Sequence, residues 1–533
     1  MFLNRHTYWF IRIFALMQMF LAPIYTSIYA QTANISGTIN TYRTVRYIDY
    51  CNKRMKLGST NGIQAGNLVV IMQTQGADVI ETNNSSFGTV NDYLSAGNYE
   101  YIRITTKTGL WLTYSEPLLN QYDTTFSIQF IKVPEYNDVN ITGDLTPFTW
   151  QGAAGGVIVL EAAGTVTFNA DINVNETGFY GGTKYISPII CHFTVQYHDY
   201  YYDYTTGRGA MKGQGIGIPS SGRDGGKGPM TNGGGGGNEH NAGGAGGANF
   251  GAGGDGGERV RFSIFTCHGE EEGIGGKAMS YSNSSNKVFL GGGGGAGHGN
   301  SASATHGGRG GGVVLIRANI IIGNGHYIYA NGQEPDTAGS NGSGGGGAGG
   351  SVLIEANAYV TNLHIQTRGA DGGDCHNGGP PPDFCMGPGG GGGGGIFWHS
   401  GSSITANVDI DVSAGAPGTT IYGRASCIGN SQGAQSGNSG GVLTGLQMPQ
   451  NLGIAFDTLY WTGQESIDWF SPCNWDKLAV PDLTKYVVVP GGTTFQPSIQ
   501  NDTARCKELF INSDNGAVLT VDGLNNGFLR DNP

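Results

Sequence analysis

Basic residues are scarce in this chain. Its 28 Lys and Arg stand against 40 Asp and Glu, a formal net charge of −12, and they form no clusters. An acidic chain without basic patches repels phosphate backbones, so no nucleic acid partner is expected. Long apolar runs are missing too: after residue 30 nothing approaches the ~18 consecutive apolar residues of a spanning helix, and no membrane span is expected. The absence of a Cys-x-x-Cys pair argues against structural zinc. EF-hand loops and calcium-binding nonapeptides are also absent. Even glycine is thin at the ends, with 9 of 96 before residue 150 and 7 after residue 450.

The other 80 glycines fall between residues 151 and 450, in runs such as Gly233 to Gly237, Gly291 to Gly295, Gly344 to Gly347 and Gly389 to Gly395. Four apolar segments recur among them, each entered from Gly-Gly: Val157 to Ala162, Val313 to Ala318, Ser351 to Ala356, and Ile396 to Trp398. Period-two alternation follows each, as in Ile404, Ala406, Val408, Ile410 and Val412. Linkers do not repeat a strand pattern. None of these units could bury its apolar face alone, whereas a stack of them shares one core. The expected fold is therefore all-β: an irregular right-handed β-helix or solenoid-like stack over residues 151 to 420, with glycine tracts in its turns. The tracts also allow a second arrangement. Polyglycine can wind as extended helices of about three residues per turn with no internal hydrogen bonds, and without Cβ atoms such helices can pack and bond laterally.

Around this region the chain divides readily. Residues 1 to 30 carry Arg5 and Arg12, an apolar run from Ile13 to Tyr25 and Ala30 before Gln31, the order of a secretory signal peptide. Residues 31 to 150 read as a small β-domain through Leu68 to Met72 and Phe126 to Phe130. Residues 421 to 458 read as a linker, and residues 459 to 533 as a second small β-domain. An exported chain permits disulfides. Cys375 with Cys385, closing a Pro-rich loop, and Cys473 with Cys506, stapling the last domain, are the candidate pairs.

Several non-glycine motifs occur in a fixed order. Gly66-Asn67-Leu68-Val69-Val70-Ile71-Met72-Gln73, Ala96-Gly97-Asn98-Tyr99-Glu100, Trp150-Gln151-Gly152, Gly178-Phe179-Tyr180-Gly181-Gly182, Asn238-Glu239-His240-Asn241 and Gly297-His298-Gly299-Asn300 are among them. In these the chain resembles the N-terminal portion of the large glycine-rich, adhesin-like or gliding-motility-associated surface proteins of Bacteroidota. The resemblance implies export, then transfer to the cell surface by the type IX secretion machinery under a C-terminal sorting domain. No recognisable sorting domain precedes Pro533.

Candidate site residues are few. Tyr197, Tyr200, Tyr201, Tyr202 and Tyr204, interleaved with His198, Asp199 and Asp203, form an aromatic insertion whose rings suit packing over the stack ahead of sugar stacking or adhesion. His240, Asn241, His298 and Asn300 sit at tract ends, where structural hydrogen bonds to glycine backbone are expected. Glu161, Arg317 and Glu355 occupy matching repeat positions, which reads as solvent-facing charges on stacked strands and not as a catalytic pair. No catalytic residue, metal site or cofactor is expected, although Asp371, Asp374, Asp409 and Asp411 offer oxygen ligands for calcium. The functional expectation is an exported adhesin-like or structural surface protein whose partner is an extracellular surface or polysaccharide, or another copy of itself. The alternatives are a filament or coat subunit and a secreted β-helical polysaccharide-degrading enzyme.

Overall fold

The computed structural model describes residues 32–189, 195–262, 269–377, 384–450, 457–500, 502–522 and 528–531. The candidate signal peptide, residues 1 to 30, lies outside them. The fold is all-β, with three single 3-10 turns and no α-helix among the described residues.

The four repeated segments are adjacent strands of one parallel sheet. Val157 pairs with Val313, Val313 with Ser351, and Ser351 with Ile396, so the Gly-Gly entries stand in register. Gly441–Leu443 continues the sheet beyond Ile396–His399. Both faces are covered, which is why these strands read as unbroken apolar runs. Val157, Val159, Val313, Leu315 and Trp398 turn to one core, and Ile158, Leu160, Val314, Ile316 and Phe397 to the other.

A closed antiparallel barrel built from Thr41–Asp49, Arg54–Leu57, Trp111–Tyr114, Tyr99–Thr108, Leu68–Gln73 and Ile128–Val133 packs against that sheet. Alternation divides its central strand: Val69 and Ile71 fill the barrel, while Leu68, Val70 and Met72 join the core shared with the sheet. Ala33–Gly37 and Val139–Leu145 flank the barrel in sequence but belong to the parallel sheet. The barrel therefore ends near Val133, and residues 31 to 150 do not form a separate domain.

The glycine tracts are neither turns nor linkers. They form a lattice of extended helices, the second of the two arrangements allowed by the sequence. Gly291 to Ala296 runs through its middle. Gly291 and Gly294 donate to Gly311 and Gly308, Gly292 and Gly295 to Ala248 and Ala245, and Gly293 and Ala296 to Gln214 and Met211. Partners repeat every third residue, the signature of a three-residue turn. The carbonyls of the same segment accept from Phe179 and Gly182, from Ala348 and Gly345, and from Gly234 and Gly237. Every backbone polar group of the segment is thus satisfied without a sheet ladder. A Cβ on Gly294 would lie 2.0 Å from the Gly345 carbonyl oxygen, and one on Gly295 1.9 Å from that of Gly235. Glycine is required here for close approach.

The lattice extends beyond residue 420. Gly391 donates to Gln435 and Gly394 to Asn438, so the expected linker of residues 421 to 458 is, through Leu443, part of the lattice and sheet. Beyond it a smaller module repeats three parallel pairings in chain order: Tyr486–Val489 with Glu508–Ile511, Ser498–Ile499 with Thr520–Val521, and Thr503–Cys506 with Phe528–Asp531. Trp461, Trp469 and Trp475 fill its core with ring centroids 4.8 to 6.5 Å apart.

The disulfides differ from both candidate pairs. Cys51 joins Cys473, tying the barrel to the C-terminal module across a sequence separation of 422, and Cys385 joins Cys427. Cys375 does not pair with Cys385; it is buried, and its Sγ donates to the Gly387 carbonyl at 3.1 Å. Cys506 does not pair with Cys473 and packs in the tryptophan core. Pairing follows spatial proximity, which spacing along the chain does not report.

Candidate binding groove

The aromatic insertion is packed down onto the lattice edge. The Arg208 guanidinium lies 5.5 Å from the Tyr197 ring, Lys227 Nζ 5.0 Å from Tyr200, and Arg223 4.5 Å from Tyr201. Tyr201 also meets Phe87 at 5.7 Å, and Tyr204 meets Tyr185 at 5.3 Å. Burial raises the Tyr202 phenol to about 12. Glycine makes this packing possible, since a Cβ on Gly226 would sit 2.9 Å from the Tyr201 Cα. All five rings are half-buried. Beneath them Lys212 donates to the carbonyls of Tyr200, Gly226 and Gly228. Burial pulls its pKa well down, yet three carbonyl acceptors match the three protons of an ammonium, and we assign it as charged.

His298 lies deep at a tract end: its Nδ1 accepts from the Asn241 N–H at 3.2 Å and its Nε2 donates to the Gly207 carbonyl at 2.8 Å. Asn300 N–H donates to Asn341 Oδ1 at 3.0 Å, and its amide lies 3.5 Å from His240 Nδ1. Burial lowers His240 to about 3 and His298 to about 4, so both rings are neutral near pH 7. These are tract-end anchors. The four aspartates considered for calcium act on neighbouring coils. Asp371 accepts from Ala416 N–H and Asp374 from Thr419 N–H, both at 2.7 Å, whereas Asp409 meets His364 and Asp411 meets Arg368.

Glu161, Arg317 and Glu355 are in register on three parallel strands. Arg317 lies 3.6 Å from Glu161 and 3.5 Å from Glu355, in a polar cleft of about 310 Å³ that also takes in Asn319 and Asn357. Burial, more than any neighbouring charge, pushes the Glu161 carboxyl up to about 7. These charges are half-buried and do not face open solvent as expected.

A track along one side of the lattice had no counterpart among the sequence-based expectations. A depression of about 610 Å³, with Met211, Gln214, Ile218 and Met230 in its walls, shares Tyr180, Gly181 and Thr183 with a second of about 280 Å³. The second shares Glu334 with a third of about 320 Å³ that contains Asn175, Asn331 and Arg368. Glycines 181, 213, 217, 307, 332 and 369 line it. Tyr180 stands at the junction and is held by Gln214 and by Arg309, itself anchored on Trp150. Its carbonyl accepts from Gln214 N–H at 2.9 Å, the Arg309 guanidinium lies 4.1 Å from its ring, and Arg309 Nη2 donates to the Trp150 carbonyl at 2.8 Å. The sequence placed Tyr180 only within the Gly178-Phe179-Tyr180-Gly181-Gly182 motif and gave it no binding role, because the groove exists only where separate tracts meet.

No family model matches the chain, and no curated protein matches it. Among solved structures it is similar to the Gp54 tailspike of Acinetobacter baumannii bacteriophage AP22, determined in complex with A. baumannii capsular saccharide. That match has 10% identity and a TM-score of 0.15, over 88% of this chain and 69% of that one. The tailspike protein gp49 of Pseudomonas phage LKA1 is similar at 10% identity and a TM-score of 0.15, over 94% of this chain and 62% of that one. Scores this low establish no shared fold. No helix among the described residues is long and apolar enough to cross a membrane.

Proposed function

We propose that the chain is an exported, non-catalytic attachment protein, delivered to the cell surface by the type IX machinery, in which a rigid glycine lattice supports a surface that contacts polysaccharide or other extracellular material. The carrying observation is the saturation of Gly291 to Ala296, whose N–H and C=O groups all bond within the lattice. A central segment with no spare backbone groups and no large side chains suits mechanical support, with recognition left to the rim of the lattice. The Cys51–Cys473 and Cys385–Cys427 disulfides, the first joining the barrel to the C-terminal module, suit an oxidising exterior. The test is retention of the purified chain on immobilised polysaccharides, host-type glycans and abiotic surfaces. Loss of every interaction under native conditions would sink this reading, and ordered self-assembly seen by electron microscopy would replace it with the filament-subunit alternative.

One observation favours the polysaccharide-degrading alternative. A carboxyl held near pH 7 facing a second carboxylate across an arginine, as Glu161 faces Glu355, has the parts of a general acid and its partner. Release of reducing ends from any polysaccharide, abolished in Glu161→Gln, would establish it.

A further inference from the structure

The track over Tyr180 deepens the attachment reading, and the identity of its ligand rests on that reading. Along its floor most of the glycine N–H donors that a strand-adding peptide would need are already committed. Gly182 N–H donates to Gly294, Gly213 to Gly234, Gly307 to Gly182, Gly332 to Arg368 and Gly369 to Ser413. A ligand is therefore held mainly by side chains and by ring faces.

Charge narrows the ligand further. The walls carry the carboxylates of Glu176, Asp224, Glu334, Asp336 and Asp371 against the guanidinium groups of Arg309 and Arg368. The remaining cation, Lys212, spends its protons on three carbonyls. An anionic polymer such as a uronate chain or a nucleic acid would meet net repulsion. What remains is an aromatic ring at the midpoint, planar amides at Gln214, Gln333 and Asn331, and a course longer than one depression, lying open along its length. Rings stack the apolar faces of pyranoses, and planar amides and carboxylates bond hydroxyls. Continuity through shared residues fits a linear chain better than a compact molecule.

We propose that this track binds an uncharged polysaccharide laid along it, with one sugar ring on Tyr180. Arg309 is a positioning residue: its guanidinium packs against the phenol and is anchored on the Trp150 carbonyl, which fixes the ring at the junction.

The experiment is affinity electrophoresis and calorimetry of the full exported chain. Probes are soluble neutral glucans, mannans and xylans, with polygalacturonate and dextran sulfate as anionic comparisons. Variants are Tyr180→Ala, Tyr180→Phe and Thr183→Trp, the last placing bulk at the exposed junction, and circular dichroism with Tm checks that each folds. At least one neutral polysaccharide is expected to bind with little salt dependence. Tyr180→Ala should weaken it roughly tenfold, the loss of one stacked ring, while Tyr180→Phe stays within about threefold. Thr183→Trp should block it. Equal binding by folded Tyr180→Ala and Thr183→Trp overturns the track while leaving attachment standing. Preference for the anionic polymers, lost in salt, overturns the uncharged ligand. Surface retention with no binding to any soluble polysaccharide overturns the polysaccharide inference alone, and absence of both defeats the attachment reading itself.

Discussion

Arg317 Nη1 lies 3.6 Å from Glu161 Oε2 on the adjacent parallel strand, with the two residues in register. Pairing has not offset the cost of burying Glu161: its carboxyl rises from 4.5 to about 7. A folded-state value above the unfolded one means that the contribution of Glu161 is fully present below pH 4.5 and is lost as pH rises through 7. Melting curves between pH 4 and 8 should show Glu161→Gln gaining on the native chain toward high pH, by on the order of 2 kcal/mol. Parallel profiles would refute this. Arg317→Met should destabilise at pH 8, because it leaves two partly buried carboxylates facing each other.

His298 has the opposite sign. Its folded value near 4 lies below the ordinary 6.5, so its contribution is present above pH 6.5 and lost as pH falls toward 4. His298→Gln should remove that acid-side loss. It should also lower Tm at pH 7, since the bond to the Gly207 carbonyl depends on ring geometry.

In the lattice, Gly294→Ala places a methyl 2.0 Å from a carbonyl oxygen, whereas at Gly339 the nearest atom is Ser303 Cβ at 3.2 Å. We expect Gly294→Ala to cost about 3 kcal/mol or more, or to prevent folding, and Gly339→Ala to cost less than about 1 kcal/mol. Denaturant midpoints of the two variants decide the matter, and equal effects would mean the lattice is looser than the hydrogen bonds indicate.

Removing the Cys51–Cys473 bridge frees the C-terminal module from the barrel. Cys51→Ser should cost that module about 2–5 kcal/mol while leaving the lattice transition in place. Differential scanning calorimetry separates the two. One transition shifting as a whole would show that they unfold together.

The tyrosine insertion gives a test of packing. Tyr200→Ser and Tyr201→Ser remove rings that cover Lys227, Arg223 and Phe87, and each should lower Tm by a few degrees. An unchanged Tm together with lost glycan binding would restore the insertion as the contact surface.

Much of the sheet was legible in the sequence because its strands carry side-chain patterns. The Gly-Gly entries before Val157, Val313, Ser351 and Ile396 align in the structure as they align in the sequence, and the match of Glu161, Arg317 and Glu355 is a true register. The His298 ring accepts from the Asn241 N–H and donates to the Gly207 carbonyl. The boundary near residue 150 failed because Ala33–Gly37 and Val139–Leu145 leave the barrel for the sheet. The expected linker failed because Gln435 and Asn438 accept lattice bonds.

By itself the sequence determined an all-β chain, the strand repeat and the need for an explanation of 80 clustered glycines. Side-chain periodicity carries that information. Only the tertiary structure decided which tract lies beside which, that Cys51 meets Cys473, and that Tyr180 stands at the junction of two depressions. The reason is physical. A glycine tract has no side chain to specify its neighbour, so its packing is set by the strands and anchors that bring backbones within hydrogen-bonding distance.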